Sequence, residues 1–140
     1  MAENEGPRYK RILLKLSGEA LAGPDKTGIN PEIINQIATE IKEVSDLGIE
    51  VALVIGAGNI FRGAMADSLG ISRSTGDFMG MLATVMNSMA VENTLEKMNK
   101  STRVLTAIEM KHVAEPYTIQ KALDHLKKGR IVIAAGGTGH

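Results

Sequence analysis

The residues able to do chemistry in this chain of 140 residues are three short glycine-bearing stretches and a few charged side chains beside them. The stretches are Ser17-Gly18, Gly56-Ala57-Gly58 and Gly136-Gly137-Thr138-Gly139. Glycine lets a backbone approach an anion closely and take positive φ, so that successive N–H groups can converge on phosphate oxygens. Lys15 precedes the first stretch and Arg62 follows the second. Phosphoryl transfer asks a protein mostly for positioning and for positive charge against the oxygens of the moving group, and this pair answers that need. Asp77 offers a carboxylate to sugar hydroxyls, and it is also placed to cap the helix that follows it. Tight turns, a snorkelling lysine and a solvated arginine are the purely structural alternatives for the same residues.

Two common nucleotide motifs fail here. Gly56-x-Gly58 is followed by Phe61 where a dinucleotide fingerprint needs its third glycine, and Gly58 and Gly63 have P-loop spacing but lead into Ala64-Met65 rather than Lys-Ser/Thr. His112, His125 and His140 lack metal-ligand spacing, and there is no cysteine, so no protein-held metal and no disulfide is expected. Magnesium would arrive with a nucleotide. Sixteen basic residues balance sixteen acidic ones, so no global field recruits nucleic acid or an anionic membrane. The opening residues are polar and acidic with no signal-like pattern, and no apolar run approaches the roughly 18 residues of a membrane span; the expected location is the cytoplasm.

The elements that must position these residues follow from periodicity. Tyr9–Leu16 reads as a strand covered on both faces. Pro31–Leu47 repeats its apolar residues at helical spacing behind Asn30 as N-cap, with Gly48 closing it. Ile49–Ile55 is a second buried strand feeding a glycine loop. Phe78–Asn99 is a helix whose methionine-rich stripe (Met79, Leu82, Val85, Met86, Met89, Leu95, Met98) is expected in the core. Thr102–Ile108, Tyr117–Lys128 and Arg130–Ala135 add a strand, a helix and a final strand, the last expected to be a bare sheet edge if the chain stops at His140. The order βαβαβαβ predicts an α/β fold: a three-layer, open, mostly parallel sheet with helices on both faces, spanning residues 9–140 behind a disordered tail over residues 1–8. Ligands of such sheets gather beyond the carboxyl ends of the strands, where the glycine stretches lie.

Three segments then carry a resemblance. Tyr9-Lys10-Arg11-Ile12-Leu13-Leu14-Lys15-Leu16-Ser17-Gly18-Glu19-Ala20-Leu21 resembles the opening signature of bacterial uridylate (UMP) kinases, in the amino-acid-kinase superfamily. Val54 to Gly63 is similar to their second-strand loop, and Gly76 to Asn87 to their long-helix motif. The resemblance implies a cytoplasmic, homohexameric enzyme that moves the γ-phosphoryl group of ATP, carried with Mg2+, to UMP, giving UDP, with GTP as activator and UTP as inhibitor. By the same resemblance, Lys15, Leu16, Ser17, Gly18, Gly58 and Arg62 would hold ATP, with Lys15 and Arg62 catalytic. Ala57, Asp77, Thr138, Gly139 and His140 would line the UMP site. The loop Gly23, Pro24, Asp25, Lys26, Thr27, Gly28, with Arg103 and Arg130, would form the GTP-responsive region.

Departures from the family pattern bear on these roles. Ala57 replaces a glycine of three in a row, which is tolerable only if that residue avoids positive φ. His140 stands where an asparagine of the UMP pocket is usual. The family fold also runs on past the equivalent of His140, into the adenine pocket and acidic catalytic positions, so the second expectation is a half-domain that binds UMP or phosphate and associates without turnover.

Overall fold

A computed structural model describes residues 10–137. The tail over residues 1–8, and Thr138, Gly139 and His140, lie outside the described residues. In chain order the elements are β1 (Arg11–Leu16), α1 (Pro31–Asp46), β2 (Glu50–Ile55), α2 (Gly63–Ser68), α3 (Arg73–Lys97), β3 (Thr102–Thr106), β4 (Glu115–Pro116), α4 (Ile119–Lys127) and β5 (Ile131–Ala135), with a 3-10 turn at Gly18–Leu21 after β1. The strands form one sheet in the order β1-β2-β5-β3-β4, and every neighbouring pair is parallel.

Side chains alternate across a strand, and here each parity meets a different layer. Ile131, Ile133 and Ala135 of β5 join Val51, Leu53 and Ile55 of β2 in a core closed by Ile34, Ala38 and Ile41 of α1 and Val85, Val91 and Leu95 of α3. On the opposite face Val132 and Leu105 meet Ala122 and Leu126 of α4. The three-layer arrangement follows.

Local rules explain most element ends. Asn30 Oδ1 accepts from the amides of Glu32 and Ile33 at 2.9 and 3.1 Å, so the cap and the Pro31 start stand as read. Thr118 caps α4 through the Lys121 amide.

Several expectations are corrected. Asp77 does not cap α3: the helix starts earlier, with Ser72 accepting from the Thr75 amide, and Asp77 is an exposed residue one turn inside it. The methionine stripe is not wholly core, since Leu82, Met86 and Met89 are exposed, with Phe78 beside them, while Val85, Val91 and Leu95 make the buried face. The first strand is covered on one face only. Ile12, Leu14 and Leu16 pack on the core, but Arg11, Leu13 and Lys15 are exposed, because α4 lies over β5 and β2 and leaves β1 bare. The final strand is not an edge: β5 inserts between β2 and β3, and β1 and β4 are the edges. The short α2 and β4 were not anticipated. No helix among the described residues is long and apolar enough to cross a membrane.

Candidate functional site

Pairing register decides where the site can form. Leu16 is paired with Ile55, Val54 with Ala134, and Thr106 with Ala135. Four strands therefore end level, and the residues that follow them, Ser17, Gly56, Ala107 and Gly136, leave the sheet as one row. The chain steps outward from β1 to β4 and then returns to place β5 inside, so the row is also where strand order reverses, the usual crevice for ligands in open α/β sheets. A cleft of 710 Å³ opens there, lined by Ala57, Asp77, Gly80, Thr84, Ala107 and Gly137 among others. A second, more apolar cleft of 350 Å³ adjoins it over Val54, Ala134 and Tyr117.

The loops are held by close backbone contact. A Cβ on Gly18 would collide with Asn59 Oδ1 and lie 2.6 Å from the Gly58 amide nitrogen, so the turns after β1 and β2 touch without room for a side chain. A Cβ on Gly58 would fall 2.5 Å from the Glu19 carboxylate. Gly136 combines φ of +79° with a neighbouring Thr106 hydroxyl that excludes any Cβ, and its amide donates to Thr84 Oγ1 at 2.9 Å. Ala57 is not among the residues with positive φ, which meets the condition on its methyl group. Ser17 uses its hydroxyl locally, accepting from the Ala20 amide at 3.2 Å.

Arg62 is not a free loop charge. Its Nε donates to the Gly58 carbonyl at 2.7 Å, and its guanidinium lies 3.3 Å from the Glu19 carboxylate. Lys15 stands on the same edge of the sheet, exposed on the bare face beside Val54, its partner in register. The structure brings together Lys15, Leu16, Ser17, Gly18, Ala57, Gly58, Arg62 and Asp77 at one rim. The expectations for Thr138, Gly139 and His140 lie outside the described residues.

The residues expected to respond to GTP divide into two places within the chain. Gly23–Gly28 lies at the same rim, its Gly28 amide donating to the Asn59 carbonyl at 2.9 Å. Arg103 and Arg130 sit toward the other end of the strands. Arg103 lies 3.5 Å from Glu96 and 4.0 Å from Glu115. Arg130 donates to His125 Nδ1 at 3.0 Å, while His125 Nε2 pairs with Glu115 at 3.0 Å. Nearby, burial pushes the Glu92 carboxyl above the ordinary carboxylate range, and the charges of Glu96 and Glu115 add to that.

Sequence reasoning missed Glu19, Thr84, Thr106, Asn59 and Asn87. Only Asn87 carried a readable signal, an amide among core-facing positions of an otherwise apolar helical stretch. Among the described residues no three His, Cys, Asp or Glu side chains cluster as metal ligands would.

An open parallel sheet with level, glycine-bearing strand ends and a crevice lined by Ala57, Asp77 and Gly137 at that rim is the arrangement of an α/β protein that takes its ligands at the strand ends. The model of the amino acid kinase family matches residues 10–140, and the chain belongs to that family. It is similar to a UMP kinase from Bacillus anthracis, 47% identical with a TM-score of 0.90 over 94% of this chain and 55% of that one. It is also similar to a UMP kinase from Ureaplasma parvum, 36% identical with a TM-score of 0.88 over 94% of this chain and 56% of that one. An isopentenyl phosphate kinase from T. acidophilum shares the fold alone, at 15% identity and a TM-score of 0.59 over 87% of this chain and 53% of the other. The chain thus spans about half the length of the UMP kinases it matches.

Proposed function

We propose that this chain forms the nucleotide-holding part of a UMP kinase, which transfers the γ-phosphoryl group of ATP to UMP and releases UDP and ADP. The observation that carries the reading is the level row of strand ends, with Ala57 and Asp77 lining the cleft there and Lys15 and Arg62 on the flanking strand end and loop; the two UMP kinase matches support the choice of acceptor. In the reaction an oxygen of the UMP phosphate bonds to the γ-phosphorus of ATP as the bond to the bridging β–γ oxygen breaks. That phosphate is already ionised at neutral pH, so the step needs alignment and charge neutralisation rather than a strong base. Lys15 and Arg62 would face the oxygens of the moving group, with the amides at Gly18 and Gly58 against ATP phosphates. Asp77 would accept from the nucleoside of UMP, with Ala57 beside it. Magnesium would enter on ATP, in a cytoplasmic setting.

Regulation by GTP and UTP, and a hexameric assembly, belong to the same reading. The exposed row Phe78, Leu82, Met86 and Met89 on α3 supports association, because these residues recur on one side of the helix opposite its buried face and form a contiguous apolar stripe. A second reading, a module that binds UMP and associates but turns nothing over, draws on the same cleft and on the exposed row of α3.

Calorimetry with UMP, paired with a coupled assay for UDP, separates the two. Wild-type UDP formation that falls at least about a hundredfold in Arg62→Ala or Lys15→Ala, the range seen when a group stabilising transition-state charge is removed, supports the enzyme. UMP uptake without UDP supports the binding module. Absence of both removes the nucleotide reading altogether.

A further inference from the structure

We propose that the buried carboxamides of Asn59 and Asn87 are a positioning pair that sets the loop after β2 against the helix carrying Asp77, and through Asn59 fastens the Gly23–Gly28 segment to the same site. The inference rests on the nucleotide reading for its functional consequence, but its geometry stands apart from it. Asn59 Nδ2 donates to the Gly28 carbonyl at 2.9 Å and to Asn87 Oδ1 at 3.0 Å. Asn87 Nδ2 donates to the Gly56 carbonyl and to Asn59 Oδ1, both at 2.8 Å. Each amide thus spends both N–H groups and accepts in return, with Asn87 fully buried and Asn59 nearly so.

No other side chain can replace either member without leaving a partner unpaired. Aspartate has no donor for Gly28 or Gly56, leucine has neither donor nor acceptor, and glutamine is a methylene too long for a packed interior. The connections of Asn59 reach further than a helix tie. Its backbone carbonyl accepts from the Gly28 amide at 2.9 Å, and its side-chain oxygen lies against Gly18, where no Cβ fits. Three loops of the rim, after β1, before α1 and after β2, therefore meet one side chain, which α3 holds from behind. Gly56 is fixed from both sides, its amide bonded to the Leu16 carbonyl at 2.8 Å and its carbonyl to Asn87. Ala57 and Gly58 follow directly, so displacement of the pair moves the residues proposed to meet both nucleotides. A ligand that orders one loop changes the affinity at the other by linkage.

The test compares Asn87→Asp with Val91→Ala in the full chain. Val91 is equally buried on α3 but packs only in the apolar core, so it reports loss of stability alone. Melting temperature, UMP affinity by calorimetry and amide exchange of the segment containing Gly28 are measured for each. Asn87→Asp is expected to weaken UMP binding about tenfold, the equivalent of one buried hydrogen-bonding group left unpaired, and to speed exchange at Gly28, which Asn87 does not touch. Val91→Ala, at a similar loss of melting temperature, should change neither. The proposal is overturned if both variants respond in proportion to lost stability, or if Gly28 exchange in Asn87→Asp stays at the wild-type rate. Should Asn87→Asp fail to fold, Asn87→Ser, which keeps a smaller donor, carries the same comparison. If the wild-type chain takes up no UMP, the functional reading fails on its own while the exchange result still decides the pair.

Discussion

Gly58 and Arg62 show how a single residue type can be required for reasons of space rather than flexibility. The Glu19 carboxylate occupies the volume a Cβ on Gly58 would need, and Arg62 binds both the Gly58 carbonyl and that carboxylate. Gly58→Ala is therefore expected to push Glu19 away and to weaken binding of ATP, which calorimetry would register. An unchanged affinity would mean that the Gly58 surface is not used. The Arg62–Glu19 pair itself is half exposed and contributes little to stability, so Glu19→Gln should leave the melting temperature within about 2 °C of wild type. Glu92 behaves differently. Its pKa is raised in the fold chiefly by burial, so the protonated form is favoured there. The associated stability is present in acid and is lost as pH rises through the raised value. Glu92→Gln is expected to melt higher than wild type at pH 8, with the gap closing below the ordinary carboxylate value of 4.5; a gap that widens in acid would reverse the assignment.

At the scale of elements, α1 was legible almost to the residue because its signals are local: a capping asparagine, a proline in the first turn and an apolar period that matches its buried face. Asn30→Ala should lower stability by about 1 kcal/mol, measurable in urea. Helix α3 was legible in kind but not in detail. Ser72 and Asp77 are both good cap residue types, and the helix starts at the earlier one, just after α2, a short element whose Gly63–Ser68 sequence has no strong periodic signal. Its methionines could not be divided into buried and exposed faces from composition, since Met fills cores and contact surfaces alike. The two-residue β4 exists only by pairing Leu105 with Glu115 and Thr106 with Pro116, which no local pattern encodes. The rim of the site was legible through its glycines and cations, whereas Glu19, Thr84 and Thr106 matter through contacts between segments distant in sequence. If α3 associates through its outer stripe, Met86→Lys should lower the oligomer mass seen in light scattering; an unchanged mass would locate the contact elsewhere.

At the scale of the whole molecule the two faces of the sheet are unequal. Among the described residues, helices α1 and α3 close one face across β1, β2, β5 and β3, whereas α4 alone covers the other and stops short of β1. What remains among the described residues is a strip carrying Leu13 at 57% exposure and Val54 at 36%, with exposed Tyr117 beside Val54 and β1 an edge strand with no partner on its outer side. Apolar side chains on an open strand edge favour pairing with another chain. The chain should therefore carry two separable tendencies to associate, one through the α3 stripe and one through this strip. They differ in chemistry: the stripe is side-chain contact between helices, while the strip adds backbone hydrogen bonding along β1. Sedimentation velocity over a tenfold concentration range distinguishes them. Met86→Lys is expected to remove a discrete oligomer and leave a slower, concentration-dependent association. Adding Leu13→Lys should then suppress that second component, because a charge on an edge strand opposes pairing. If Leu13→Lys alone abolishes all association, the strip is the sole contact and the α3 stripe has no part in assembly. If Met86→Lys alone does so, the bare face is tolerated in water and the asymmetry of the sheet has no consequence for assembly.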